Sequence, residues 1–280
     1  KNRYCEEEII MANAVVKKEE AGLPAEMMDT IMETAGEGVT FEASDLQIPF
    51  IRVAQGTSPQ LKKSDSKYMP DLRQGDIFNT VSGQVWDGEK GITVIPCFQM
   101  TSYPEFISEQ SGGGFVGLRN ADDPDLQRTE RQGAKEFLPN GNEVVKSDQY
   151  YCLIIEEDGD YNPAIVDFKS TGLKVSRRWK TQITMQKVKD KQGVMRTPAL
   201  FATMWKLSVV EESKTVDGAM RSWSNWQIEK VGFVQDRNLL NAAIDFRKSV
   251  EKGEAKAVQE EAQAPASAPA QQMPEDDDVP

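Results

Sequence analysis

Five runs with the spacing of strands, at residues 92–99, 150–157, 162–168, 198–211 and 221–234, limit what this chain can fold into. An amphipathic helix stands between the third and the fourth. Glu156-Glu157-Asp158-Gly159-Asp160 is a turn sequence, so the second and third runs pair as a hairpin. The fourth and fifth are joined by a loop, Glu211 to Met220, that carries Lys214 and Gly218. Ser170-Thr171 opens the helix. Leu173, Val175, Trp179 and Ile183 give it an apolar stripe, and Lys174, Arg177, Arg178 and Lys180 surround that stripe. The stripe needs its largest member in the core, so Trp179 is expected to be buried.

Strands with one helix after the third predict a mainly β, α+β fold: an OB-fold-like Greek-key barrel. Residues 77–86 add an alternating segment with Ser82-Gly83 as a hairpin turn. Residues 101–147 read as an insertion, with a short helix expected from Pro124 to Lys135. Gly112-Gly113-Gly114 lacks the Gly-Lys-Ser/Thr of a phosphate-binding loop and reads as a hairpin tip. A last helix runs from its cap at Asp236 to about Lys252. The expected domains are an acidic, partly disordered arm at 1–45, a binding domain at 46–253, and a disordered linker with an acidic tip at 254–280. The arm carries one helical stripe, Pro24 to Ala35, and Met11-Ala12-Asn13-Ala14 reads as a natural start.

The sequence has no histidine, which removes His-based acid–base and nucleophilic catalysis and His-containing metal sites. Cys5, Cys97 and Cys152 are too widely spaced for a zinc pair, and Cys97 and Cys152 sit in apolar runs as buried thiols. No metal, cofactor or enzymatic activity is expected. No apolar run reaches the ~18 residues of a membrane span, so a cytoplasmic protein is expected.

Charge separates the chain into parts. Four basic and eleven acidic residues give 1–47 a net of −7, while 257–280 carries six acids and no base. Of the total of −12, that leaves +1 over 48–256. Between Lys169 and Lys191 stand eight basic residues and a single acid, Asp190, a local patch of the kind phosphates select. Trp205, Trp223 and Trp226 lie close by in sequence. Aromatic platforms beside cations suit single-stranded nucleic acid. Strict alternation puts Trp223 and Trp226 on opposite faces of their strand, so at least one of them lies outside the main core. The expected binding residues are Lys169, Lys174, Arg177, Arg178 and Lys180 for phosphate, and Trp205, Trp223 and Trp226 for bases.

The chain ends in a polar run of Ala, Gln and Pro followed by Asp276-Asp277-Asp278-Val279-Pro280. This pattern resembles the tail of bacterial and phage single-stranded DNA-binding proteins, without the closing Phe of that family. The block IPFIRVAQGTSPQL followed by GDIFNTVSGQVW resembles tailed-phage proteins associated with replication and recombination. The resemblance implies a phage single-stranded DNA-binding protein in the host cytoplasm. Its tip, Asp276 to Pro280, would capture replication or recombination proteins, and it would be a possible homo-oligomer. A strand-annealing accessory protein, a nuclease using Asp158 and Asp160, and a virion or assembly protein without nucleic-acid binding remain open at this point.

Overall fold

The computed structural model describes residues 47–133, 135–216, 219–253 and 256–257, together with Glu33. The chain divides into two units, 1–42 and 43–280. The expected Pro24–Ala35 helix lies outside the described residues except for Glu33, which is helical, and the tip at 276–280 lies wholly outside them.

Four short strands come first: β1 (Gln47–Ile48), β2 (Phe50–Val53), β3 (Ile77–Asn79) and β4 (Val85–Trp86). The long β5 (Ile92–Phe106) precedes β6 (Phe115–Arg119), β7 (Glu130–Gln132), β8 (Lys135–Phe137) and β9 (Glu143–Val144). The hairpin of β10 (Ser147–Ile155) and β11 (Tyr161–Lys169) leads into α1 (Gly172–Met185). After it come β12 (Val188–Lys189), β13 (Met195–Arg196), β14 (Thr203–Val216), β15 (Ala219–Phe233), α2 (Arg237–Glu251) and β16 (Lys256–Ala257).

The molecule is mainly β. Its central strands lie in the order β15-β14-β5-β10-β11-β2-β3-β4. All neighbours are antiparallel except β11 and β2, so the sheet is mixed. Within it, β14-β5-β10-β11 is a Greek key: the fourth strand returns, by way of α1, to lie beside the first. The expected closed barrel is not formed among the described residues. β2 pairs along the edge of β11 through Ile165↔Phe50 and Val166↔Ile51, so β11 cannot close onto β15. Where β2 ends, the Gln55 side chain bridges the gap. Its Nε2 donates to the Ser224 carbonyl (2.8 Å), and the Ser224 N–H donates to its Oε1 (3.1 Å).

Both faces of the sheet are covered, and eight of the nine β10 residues are therefore buried. The inner face carries Ile51, Val94, Tyr150, Phe168, Trp205 and Leu207, packed on Trp179 of α1. The outer face carries Ile95, Leu153 and Ile165 beneath Ala243 and Phe246 of α2. Trp179 stacks on Tyr150 at 4.2 Å between ring centroids, as expected of the stripe's largest member. A buried polar network completes this joint. Asp148 accepts from Ser176 Oγ (2.7 Å) and Thr101 Oγ1 (2.8 Å), and Lys180 Nζ lies 2.9 Å from its Oδ2. Burial pushes the Asp148 carboxyl up, but the bonds from Lys180, Ser176 and Thr101 outweigh it and hold the pKa below its ordinary value.

Three expectations about elements change. β5 runs on to Phe106, and Thr101 and Ser102 pair with β10, so the insertion starts later than expected. The Pro124–Lys135 helix is a single 3-10 turn, Pro124–Gln127, followed by β7 and β8. Asp123 caps that turn and Arg119 holds both Asp123 and Asp125, while Leu126 alone offers no apolar stripe to bury. The fourth strand begins at Thr203, after a 3-10 turn at Leu200–Ala202.

Candidate nucleic-acid interface

Lys169 ends β11, and the chain turns sharply at Ser170, whose φ of 48° is the one left-handed non-glycine value among the described residues. The turn lays α1 across the inner face of the sheet. Gly172, Ser176 and Trp179 form its buried side, so helical geometry leaves Lys174, Arg177 and Arg178 exposed. No carboxylate pairs with these three among the described residues; Arg177 Nε donates to the Leu173 carbonyl (3.3 Å). The other two expected phosphate ligands are engaged. Lys180 is held by Asp148, and Lys169 Nζ lies 2.6 Å from Asp167 Oδ2.

Two concavities flank α1. One, of about 310 Å³, lies between α1 and the β14–β15 hairpin and is lined by Lys174, Arg178, Gln182, Trp226 and Ile228 among others. The other, of about 330 Å³, lies at the start of α1, where Arg52, Gln55, Lys169, Thr171, Asn225 and Trp226 contribute. Trp226 is common to both. Lys169, Lys174, Arg178 and Trp226 are thus brought together, while Arg177, Lys180, Trp205 and Trp223 line neither concavity. Arg52, Gln55 and Asn225 were not anticipated. Arg52 had a signal, being a cation inside the apolar run Ile48 to Val53.

The tryptophans separate. Trp205 is 1 % exposed, packs edge-on to Trp179, and donates its indole N–H to Thr203 Oγ1 (2.9 Å). The stacking role expected of it is corrected, because core atoms occupy its ring faces. Trp226 is also a core residue, and only a small part of it borders the concavities. Trp223 is half-buried and sits on the other face of β15, opposite Glu212. Two residues along that face, Arg221 stands opposite Lys214, a like-charged pair.

The remaining motifs are turns. Asp158 Oδ1 accepts from the Asp160 N–H in the β10–β11 turn. Among the described residues, no three His, Cys, Asp or Glu side chains converge to hold a metal. Gly112, Gly113 and Gly114 take φ values of 103°, 69° and 123° in the β5–β6 connection, which suits them to the tip of a hairpin. No helix among the described residues is long and apolar enough to cross a membrane.

The model of the Pam3 phage gp34-like protein family matches residues 17–256. The chain belongs to that family. The match takes in the whole central sheet, α1 and α2. No curated protein and no solved structure matches the chain.

Proposed function

We propose that this member of the phage family binds single-stranded DNA in replication or recombination. The observation that carries the reading is the exposed side of α1. Lys174, Arg177 and Arg178 stand there without carboxylate partners among the described residues, on a helix whose other side is locked into the core. Unneutralised cations on a rigid element bordering a groove suit a phosphate backbone. The Greek key supports an OB-like reading, with β5, β10, β11, β14 and β15 as the five strands, α1 after the third, and β2 wedged where the barrel would close. Binding of this kind needs no catalytic group or cofactor. The acidic tip Asp276 to Pro280 would engage other replication or recombination proteins, in the host cytoplasm.

The test is a titration with a fluorescently labelled oligothymidine across a salt series, beside a duplex of the same length. Tight, salt-sensitive binding of the single strand is expected, with much weaker binding of the duplex. No binding at low ionic strength, or equal binding of both, overturns the proposal. Sedimentation of the complex gives the number of protein chains per strand, and a ring or filament would point to strand annealing.

A further inference from the structure

We infer that the single strand's track has a second end, at the aromatic pair Phe106 and Phe115, where bases stack after the backbone has passed Arg52 and Lys169. The inference rests on the single-strand reading and extends it to residues no motif had marked. A small third concavity of about 30 Å³ is lined by Phe50, Arg52, Phe106, Phe115 and Lys169, among others. It shares Arg52 and Lys169 with the cleft at the start of α1, which in turn shares Trp226 with the groove beside Lys174 and Arg178. Shared lining residues thus link each concavity to the next.

The charges along them favour an anion. Arg52, Lys169, Lys174 and Arg178 border them, against two carboxylates, Asp167 and Glu212. Lys169 is itself paired with Asp167 (2.6 Å), and Glu212 accepts from Asn225 Nδ2 (3.1 Å), so the excess of positive charge rests on Lys174 and Arg178. Phe106 and Phe115 face each other across β5 and β6 with ring centroids 5.7 Å apart. Both are half-buried, and neither belongs to any of the four buried apolar clusters. Glu105 fastens the insertion to β5 independently of them, accepting from Arg119 (2.6 Å), Asn140 (2.9 Å) and Asn142 (2.6 Å). The nearby tip is open: a Cβ on Gly112 or Gly113 would meet nothing within 4 Å. Aromatic rings outside the core, beside cations and an open hairpin tip, are the arrangement that stacks unpaired bases.

The experiment compares wild type, Phe115→Leu and Phe115→Tyr on oligothymidines of graded length, from about 4 to about 16 nucleotides. The shortest strands engage only the α1 groove and should bind all three proteins alike. On the longest, Phe115→Leu should lose affinity about 5- to 100-fold, and Phe115→Tyr should keep it. A melting temperature equal to wild type establishes that the variant is folded. Independently, photocrosslinking of bromouracil-substituted strands to wild type should yield adducts at Phe106 or Phe115. Unchanged long-strand affinity in Phe115→Leu, the same loss at every length, or adducts confined to the α1 groove overturns the second end. Absence of any binding by wild type sinks the single-strand reading itself.

Discussion

At the scale of single residues, burial decides which aromatic or cation is available to a ligand. Trp179 fills the joint between α1 and the sheet, and its stack on Tyr150 is flanked by Phe168 and Trp205. Trp179→Ala or Trp205→Ala should cost about 3–5 kcal/mol in urea unfolding, since each leaves a large cavity in a packed core. Trp223→Phe should leave stability equal or higher, because the indole N–H it removes is buried without a hydrogen-bond partner. A substantial loss on Trp223→Phe would overturn this expectation. Alternation in the sequence placed Trp223 and Trp226 on opposite faces, and they are so placed. Which face was the core was not legible, since both carry polar and apolar residues. Lys180 could not be told from Lys174 either, because its partner Asp148 comes from a distant strand. Lys180→Ala should therefore cost about 1.5–3 kcal/mol by removing a charged hydrogen bond to a buried carboxylate. Since the Asp148 pKa is depressed in the fold, its stabilisation is present above the ordinary carboxylate range and is lost as pH falls through the folded value. Denaturation curves across acidic pH should show that loss in wild type and a smaller one in Asp148→Asn.

At the scale of elements, Lys174 and Arg178 border one groove on a helix fixed by its opposite side. Replacing both with Ala should reduce the slope of log affinity against log salt by about 1.4, two phosphate contacts being lost from a single strand. Stability should hardly change, since both are exposed. An unchanged slope in the folded double variant would remove α1 from the interface. The insertion offers a pH test of its own. Arg119 above all, aided by Asn142 and Asn140, outweighs burial and holds the Glu105 pKa down to about 2 from an ordinary 4.5. The stabilisation is present above pH 4.5 and lost as pH falls toward 2. Glu105→Gln should abolish that part of the acid sensitivity, read by amide exchange in β6 to β9. The order of strands around α1 was legible because each apolar run alternates and turn residues separate the runs. Strand lengths were not: β5 continues past its apolar half through Thr101 to Phe106, held by pairing with β10, β6 and β9. The parallel wedge of β2 was equally hidden, because four residues carry no mark of the strand they will join.

At the scale of the whole molecule, the charge is uneven along the sequence: two acidic ends flank a nearly neutral stretch that contains the basic helix. Described structure ends at Lys256–Ala257, where β16 pairs in parallel with Gln47–Ile48 of β1. A truncation should therefore follow Ala257 so as to keep that pairing. It removes six carboxylates and takes the net charge from −12 to −6. If the acidic residues of 258–280 reach Lys174, Arg177 and Arg178, they compete with a polyanion for those cations. Affinity for single-stranded DNA should rise on truncation. The gain should be greatest at low salt and nearly absent at ~1 M, where the Debye length falls to ~3 Å. The same truncation should abolish capture of replication or recombination proteins. Adding Phe after Pro280 to the intact chain should strengthen that capture without changing DNA affinity, because an apolar anchor adds contact but no charge. Equal DNA affinity of full-length and truncated protein at every salt concentration would mean that the tail does not compete with DNA. The basic face of α1 would then be open in the free protein, and control of binding would fall to the groove itself.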